Sequence, residues 1–194
     1  MSKSNTSNIN EIEEAEQVDD TLIELDKITK INSYIYLGSY EHSYMETDDF
    51  KALNINVIIN CCSSQVHYPN NLREKYIIED FAFDDDIYAS LLDYIDEVDN
   101  TIYNFEKMKK NIYIHCVKGV SRSPAIIIYF LMMHRKKSYS EALKIIKRKR
   151  PIININLNFK SELKQMEDSC CELYNISTNT KTKLITNPNT NPNV

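Results

Sequence analysis

The chain has 194 residues, of which 42% are hydrophobic and 26% are charged, and its formal net charge at pH 7 is −5. That length allows one well-buried domain with tails, but not two domains of ordinary size. The mild net charge gives no whole-protein reason to expect nucleic acid or an acidic membrane as a partner.

The cysteines and the apolar runs bear on the compartment of the protein. Five cysteines fall as two adjacent pairs, Cys61–Cys62 and Cys170–Cys171, and as Cys116 alone, with no C-x-x-C spacing to hold zinc. The polar start, Met1–Asn10, lacks the basic and apolar regions of a secretory signal. No apolar run reaches the roughly 20 residues that span a bilayer. We therefore expect free thiols, no membrane partner, and a cytoplasmic location that can extend to the nucleus.

Both ends of the chain have the composition of disordered segments. Residues 1–25 are rich in Ser, Asn and Glu and include an acidic run at Glu11–Asp20. Residues 174–194 are mostly Asn, Thr and Pro in near repetition. Such segments bury too little apolar surface to fold. We expect two disordered tails around one domain at residues 26–173.

The first half of that domain is predicted to contain short strands and one helix. Thr47 is a plausible N-cap ahead of Asp48 and Asp49, so a helix is predicted over Met45–Leu53. Short apolar runs that end at turn residues predict extended segments. These segments are Tyr34–Leu37, which ends at Gly38, the buried run Val57–Ile59 ahead of Cys61, Tyr76–Ile78, and Phe81–Phe83.

A long helix and a buried strand come next. Apolar residues recur in steps of three and four from Leu91 to Met108, which predicts an amphipathic helix. Ile112–Ile114 then predicts a buried strand that ends at His115 and Cys116. Strands that alternate with helices in this way indicate an α/β fold.

The second half of the domain predicts three further helices. Ser123 as N-cap and Pro124 at the first helical position predict the start of a wholly apolar helix that runs to Met133. A capping box of Ser138 and Glu141 opens the second, which Pro151 ends after the basic run Lys147–Arg150. The third has one apolar face, made of Phe159, Leu163, Met166 and Cys170.

The loop between the buried strand and the apolar helix carries the chemistry. Residues 115–124 read HCVKGVSRSP in one-letter code. A loop in this position turns successive backbone N–H groups and a helix N-terminus toward one point, which suits a phosphate dianion. Gly119 relieves the tight turn. The candidate phosphate-binding residues are Val117, Lys118, Gly119, Val120, Ser121 and Arg122.

Three side chains of this segment fit a nucleophilic displacement at phosphorus. The loop amides, the helix dipole and Arg122 would stabilise a thiolate at Cys116, which is a strong nucleophile. The planar guanidinium of Arg122 can bind two phosphate oxygens. Ser123 could donate a hydrogen bond to the sulfur and help it leave. The alternative is that Cys116 is a small core residue, as a cysteine at a strand end often is.

The string H-C-x-x-G-x-S-R-S-P resembles the signature loop of the cysteine-dependent protein tyrosine phosphatases. Its last four residues look most like the dual-specificity branch, so the chain resembles a small, atypical dual-specificity phosphatase. The resemblance covers about residues 27–172, including Ile35–Gly38, Phe50–Asn60 and Glu141–Leu143. It implies a central twisted, mostly parallel sheet flanked by helices on both faces. It also implies phosphoprotein substrates and neither a metal nor a cofactor.

The resemblance implies a general acid as well. The family places an aspartate on the loop before the long helix, where Asp84, Asp85 and Asp86 lie in this chain. Asp85 gives the best gap-free alignment, because Leu91 and Ile95 then fall where the family's helix buries its apolar residues. Asp84 is the main alternative, ahead of Asp86. Acids also favour the start of a helix without any catalytic role, and that interpretation suits two of the three.

Several alternatives stay open. The short domain has little material for a deep pocket, which favours phosphoserine and phosphothreonine together with phosphotyrosine. Hydrolysis of phosphoinositides or of RNA 5′-phosphates is one rival function, and a non-catalytic phosphate-binding module is another. One alternative for Cys61 or Cys62 is a reversible disulfide with Cys116, and the other is a plain core residue. His115 is expected to support the loop from beneath. His42, His67 and His134 receive no role, and the sequence gives no prediction of oligomeric state.

Overall fold

The computed structural model of the chain describes residues 27–167. In this part of the chain one sheet has the strand order β1-β2-β5-β3-β4. Its strands are β1 (Thr29–Lys30), β2 (Ile35–Ser39), β3 (Val57–Asn60), β4 (Ile77–Asp80) and β5 (Ile112–Cys116). The β1–β2 pair is antiparallel and every other pair is parallel. The sheet is therefore mostly parallel, as predicted.

Helices flank this sheet, which confirms the predicted fold class. Two short helices follow β2, another short one precedes β4, and the longer helices follow. The helices are α1 (Tyr40–Tyr44), α2 (Asp48–Ala52), α3 (Asn70–Lys75), α4 (Ile95–Lys107), α5 (Arg122–Arg135), α6 (Tyr139–Lys149) and α7, which covers 157–167. No helix within residues 27–167 has the length and apolarity needed to cross a bilayer.

The centre of the sheet is built from strands that are buried along their whole length. β5 pairs with β2 on one side and β3 on the other, so Ile112 aligns with both Ile35 and Val57. All residues of these three strands are buried. Cys116 consequently lies at the carboxyl end of the central strand, the edge of a parallel sheet where ligands bind.

The most buried helix starts two residues earlier than predicted. Ser121 takes the N-cap position and α5 begins at Arg122, so Ser123 lies inside the first turn and Pro124 follows it. The amide of Ala125 donates to the carbonyl of Ser121 at 3.0 Å and closes that turn. Pro124 is tolerated there because the first amides of a helix have no partner within it.

Other boundaries also differ from the predictions. Helix α2 begins at Asp48 rather than Met45, and the Thr47 side chain makes no cap hydrogen bond. Residues 81–83 form no strand. Helix α4 begins at Ile95 rather than at Leu91, whose amide donates to the Glu162 carboxylate at 2.8 Å.

Several predictions agree with the structure or lie beyond it. The capping box of Ser138 and Glu141 is present, and α6 ends ahead of Pro151. The strand expected at Tyr76–Ile78 is present but runs from Ile77 to Asp80. Helices α1 and α3 and strand β1 were not predicted. The two tails, 1–25 and 174–194, and Cys170 lie outside the described residues.

Candidate active site

Residues 117–121 join β5 to α5 in a tight loop, called here the phosphate loop. Gly119 has φ +64°, and a Cβ atom there would lie 2.4 Å from the carbonyl oxygen of Gly38. A Cβ atom at Gly38 would in turn lie 2.1 Å from the hydroxyl oxygen of Tyr113. The two glycines of the chain are thus both required where β2 passes the phosphate loop.

Arg150 holds the phosphate loop from behind. This side chain is 2% exposed. Its Nε donates to the carbonyl of Gly119 at 2.9 Å and its Nη2 to that of Lys118 at 3.2 Å. From the sequence, Arg150 was expected only as part of a basic helix end. A signal was present, because Arg150 continues the buried stripe of Ala142 and Ile146 at four-residue spacing.

Cys116 has a thiol that is poised to ionise. It is 2% exposed, and the Ser123 hydroxyl donates to its Sγ at 3.3 Å. Burial alone would raise the pKa of this thiol. Hydrogen bonds from Ser123 and from the amide of Val120, together with the charge of Arg122, outweigh burial and hold the pKa below its usual value. At any pH above this lowered pKa, the sulfur is therefore present mainly as a stabilised thiolate.

The guanidinium of Arg122 is held at one nitrogen, and a second nitrogen has no hydrogen-bond partner among the described residues. Its side chain is buried, and Nη1 donates to Gln65 Oε1 at 2.9 Å and to the carbonyl of Phe83 at 3.1 Å. Within residues 27–167 the buried Nε has no hydrogen-bond partner, and it lies 3.7 Å from Asp85 Oδ2. A buried guanidinium with an unsatisfied N–H at a cavity favours an anionic ligand such as phosphate.

Asp85 lies in the same cavity as Cys116 and Arg122. This cavity, called here the catalytic cavity, has a volume of about 310 Å³. The Ser121 hydroxyl donates to Asp85 Oδ1 at 2.6 Å and accepts from the amide of Asn156 at 3.0 Å. Further residues line it: Gln65, Val117, Lys118, Val120 and Asn154.

The two neighbouring aspartates are placed differently. All three aspartates are exposed, but neither Asp84 nor Asp86 is among the residues that line the catalytic cavity in the described part of the chain. The Asp86 carboxylate instead accepts from the amide of Tyr88 at 2.7 Å and closes a local turn. Of the three candidates, Asp85 is the one brought together with Cys116.

Helix α7 anchors the end of residues 84–91, the segment that begins with the three aspartates. Sequence reasoning missed that role. Asn158 donates to the carbonyl of Ala89 at 2.7 Å. The Glu162 carboxylate accepts from the hydroxyl of Ser90 at 2.7 Å and from the amide of Leu91 at 2.8 Å. These contacts hold the end of the 84–91 segment in a fixed position relative to α7. No local pattern marks them, because the partners are distant in sequence.

His115 lies just before the phosphate loop, at the end of β5. It is fully buried, with Nε2 2.9 Å from the hydroxyl of Tyr68 and Nδ1 3.4 Å from the carbonyl of Cys116. Burial lowers the pKa of this imidazole to about 4, so the ring is neutral at neutral pH. A neutral, hydrogen-bonded ring supports the loop rather than exchanging protons with a ligand.

Cys61 and Cys62 follow β3 beside the end of β5. The amide of Cys61 donates to the carbonyl of His115 at 2.9 Å, and Cys62 Sγ donates to Asn60 Oδ1 at 3.3 Å. Both thiols are free and buried. Burial raises the pKa of Cys62 to about 12 and holds that of Cys61 well above its usual value, the opposite of the shift at Cys116. A disulfide between either residue and Cys116 stays a prediction.

The described residues contain no group of three or more His, Cys, Asp or Glu side chains placed to hold a metal ion.

The chain is similar to known proteins over most of the described region. A family model described as the catalytic domain of dual specificity phosphatases matches residues 35–169.

Two curated relatives illustrate the similarity. Dual specificity protein phosphatase 1 of Mus musculus is 29% identical over 138 residues, which cover 71% of this chain and 36% of the relative. Tyrosine-protein phosphatase vhp-1 of Caenorhabditis elegans is 32% identical over 146 residues, or 74% of this chain and 22% of the relative. The chain thus spans about a third or less of the length of these relatives.

Solved structures agree with the fold. A leucine rich repeat and phosphatase domain containing protein from Entamoeba histolytica superposes with a TM-score of 0.64 at 25% identity, covering 78% of this chain and 97% of that one. A human tyrosine phosphatase-like serine/threonine/tyrosine-interacting protein superposes with a TM-score of 0.67 at 19% identity, covering 74% and 97%.

Proposed function

Because the chain belongs to the family of dual specificity phosphatase catalytic domains, we propose that it hydrolyses phosphotyrosine and phosphoserine or phosphothreonine monoesters in proteins through a phosphocysteine. One observation carries this proposal. The Cys116 thiol, with its lowered pKa, shares one cavity with the buried guanidinium of Arg122 and the carboxyl group of Asp85. A nucleophile, an anion clamp and a proton donor are the parts that phosphoryl transfer needs.

The first step transfers the phosphoryl group to sulfur. The Cys116 thiolate attacks phosphorus, the S–P bond forms and the ester P–O bond breaks. Asp85 gives its proton to the leaving oxygen, so that a neutral alcohol or phenol departs. Arg122 and the amides of residues 117–121 hold the phosphoryl oxygens, which supplies positioning and electrostatic stabilisation.

The second step returns the thiolate. The Asp85 carboxylate takes a proton from water as that water attacks phosphorus, the S–P bond breaks and inorganic phosphate forms. Ser123 stabilises the departing sulfur, because its hydroxyl already donates to Sγ at 3.3 Å. Since the nucleophile must stay reduced, we also propose a reducing compartment, the cytoplasm or the nucleus, with phosphoproteins as substrates.

The substrate class is tested by phosphate release from one peptide sequence synthesised with phosphoserine, phosphothreonine or phosphotyrosine. A phosphoinositide and an RNA 5′-phosphate are assayed in the same way as alternative substrates, one for each rival function. We expect turnover of all three peptides. Turnover of the lipid or the RNA end without any peptide would refute the proposal, and peptide binding without turnover would identify a phosphate-binding module.

Asp85→Asn should lower kcat for phosphoserine peptides by about 100-fold, because an amide cannot give a proton to an alkoxide leaving group. The loss should be smaller for an aryl phosphate whose leaving group departs without protonation. Steady-state kcat values for the two substrates measure this difference.

Asp84→Asn and Asp86→Asn are the matched controls for this variant. Each carries the same change on the same loop but lies outside the catalytic cavity. We expect both to keep the leaving-group dependence of the wild type. A greater loss in Asp84→Asn than in Asp85→Asn would transfer the acid role to Asp84.

Ser123→Ala should move the acidic limb of the kcat/KM profile to higher pH. The hydroxyl of Ser123 helps to lower the pKa of Cys116. Its removal raises that pKa, so less thiolate is present at any given pH and activity is lost first on the acidic side. The rate of iodoacetate alkylation against pH measures the same shift without substrate. Ser140→Ala, an exposed serine on α6, should leave both profiles in place.

A further inference from the structure

A second cavity, of about 510 Å³, lies beside the catalytic cavity. Gln65 and Val117 line both cavities. Val117 is the first residue of the phosphate loop, and Gln65 accepts the hydrogen bond from Arg122. The second cavity therefore continues the catalytic one along the surface. We call it the tyrosine groove, and its lining residues are Tyr40, Tyr44, Gln65, Val66, His67 and Val117.

Aromatic rings form the wall of the tyrosine groove. Tyr40 and Tyr44 meet edge to face with ring centroids 6.2 Å apart, and Tyr44 meets Tyr68 at 5.9 Å. Tyr68 is anchored because its hydroxyl lies 2.9 Å from Nε2 of His115. Tyr44 is 41% exposed, which leaves ring surface available to a ligand. Such a wall favours contact with another aromatic or large aliphatic group.

The charge of the groove agrees with an apolar ligand. Among residues 27–167, those that line it include no Asp, Glu, Lys or Arg, and His67 is the one basic side chain. A carboxylate or a second phosphate would lose hydration there without gaining a fixed cation in return. The Lys118 side chain, which could attract an anion, lines the catalytic cavity instead.

We propose that the tyrosine groove is a specificity subsite, which binds an aromatic or large aliphatic side chain of the substrate close in sequence to the phosphorylated residue. This inference rests on the proposed function, because it requires a peptide that extends out of the catalytic cavity. An extended chain advances about 3.3 Å per residue, so a neighbour about one or two positions away reaches the adjoining groove. The volume is in the range of cavities that bind compact organic groups.

The test is a set of phosphotyrosine peptides that differ in one flanking residue. Four positions are varied one at a time: the two residues before the phosphotyrosine and the two residues after it. Each position carries Phe, Ala or Asp in turn. At one of these positions we expect Phe to raise kcat/KM about tenfold over Ala, from the burial of one ring. Asp at that position should be no better than Ala.

Variants of Tyr44 assign the preference to the groove. In Tyr44→Ala the Phe-to-Ala ratio should fall to near one, and in Tyr44→Phe, which keeps the ring, it should persist. Met45→Ala is the matched control, because Met45 is the adjacent residue, is 71% exposed and lies outside the groove. It should keep the wild-type ratio. Each ratio compares two peptides on one variant, so a general loss of activity cancels.

The proposal is overturned if no position shows a Phe preference in the wild type, or if the preference survives in Tyr44→Ala. Failure of the proposed function gives a different result, namely no phosphate release from any peptide or from an aryl phosphate. In that case the same peptides are titrated against Cys116→Ser, and Kd is measured in place of kcat/KM. Equal Kd values for the Phe and Ala peptides would then refute the subsite, and tighter binding of the Phe peptide would support it.

Discussion

Cys116→Ser should reduce phosphate release from aryl phosphates and phosphopeptides by about 10⁴-fold or more. The environment of residue 116 stabilises a sulfur anion through Ser123, the amide of Val120 and Arg122. A serine hydroxyl ionises at far higher pH, so the same environment leaves it protonated and a poor nucleophile. The measurement is a single-turnover assay on a phosphotyrosine peptide, in which the wild type should form a phosphocysteine and the variant should not.

Cys62→Ser is the matched control for that variant. It makes the same atomic change close by, and its hydroxyl can keep the hydrogen bond that Cys62 Sγ now donates to Asn60. Its thiol has a raised pKa and takes no part in the proposed reaction. We expect activity to be kept in Cys62→Ser. Turnover that survives in folded Cys116→Ser would remove the phosphocysteine from the mechanism.

Arg122→Lys should lower kcat/KM by about 10³-fold, although the positive charge is kept. The guanidinium has separate N–H groups for two tasks. Nη1 is held by Gln65 and the carbonyl of Phe83, while the buried Nε has no hydrogen-bond partner among the described residues and lies 3.7 Å from Asp85 Oδ2. A lysine ammonium cannot bridge to both protein acceptors and also present a planar pair of donors to phosphate.

Steady-state kinetics with an aryl phosphate measure this effect, and inorganic phosphate as a competitive inhibitor reports on ground-state binding. Arg135→Lys serves as the comparison, because Arg135 is an exposed arginine at the end of α5 that pairs with Glu106. We expect it to behave as wild type. Comparable kinetics for Arg122→Lys and Arg135→Lys would show that charge alone, without the planar fork, suffices at position 122.

The sequence predicted the phosphate loop well because the information is local. The buried strand, the glycine, the arginine and the buried helix follow one another within residues 112–133, so their order alone determines the geometry. The choice among three adjacent aspartates was harder. Their side chains are identical, and what distinguishes Asp85 is the hydroxyl of Ser121, which lies 36 positions further along the chain.

What the sequence did not predict depends on short elements and distant partners. Helices α1 and α3 have five and six residues, which is too short for a helical period to repeat. The amide of Leu91, just ahead of α4, is bonded to Glu162, a residue more than 70 positions away. Arg150 gave a weak signal of its burial, but its partners at the phosphate loop could not be named without the topology of the sheet.

Arg150 links two places that are far apart in sequence. Besides the carbonyls of Lys118 and Gly119, it binds the carbonyl of Lys27 at 2.6 Å, just ahead of the edge strand β1. Fraying of that edge would therefore release one of the tethers that keep the guanidinium in place. A shortened chain that starts beyond residue 30 should show faster amide exchange at residues 117–120 even while its sheet stays folded. Through Arg150, the edge of the sheet and the loop that would bind the ligand are therefore mechanically coupled.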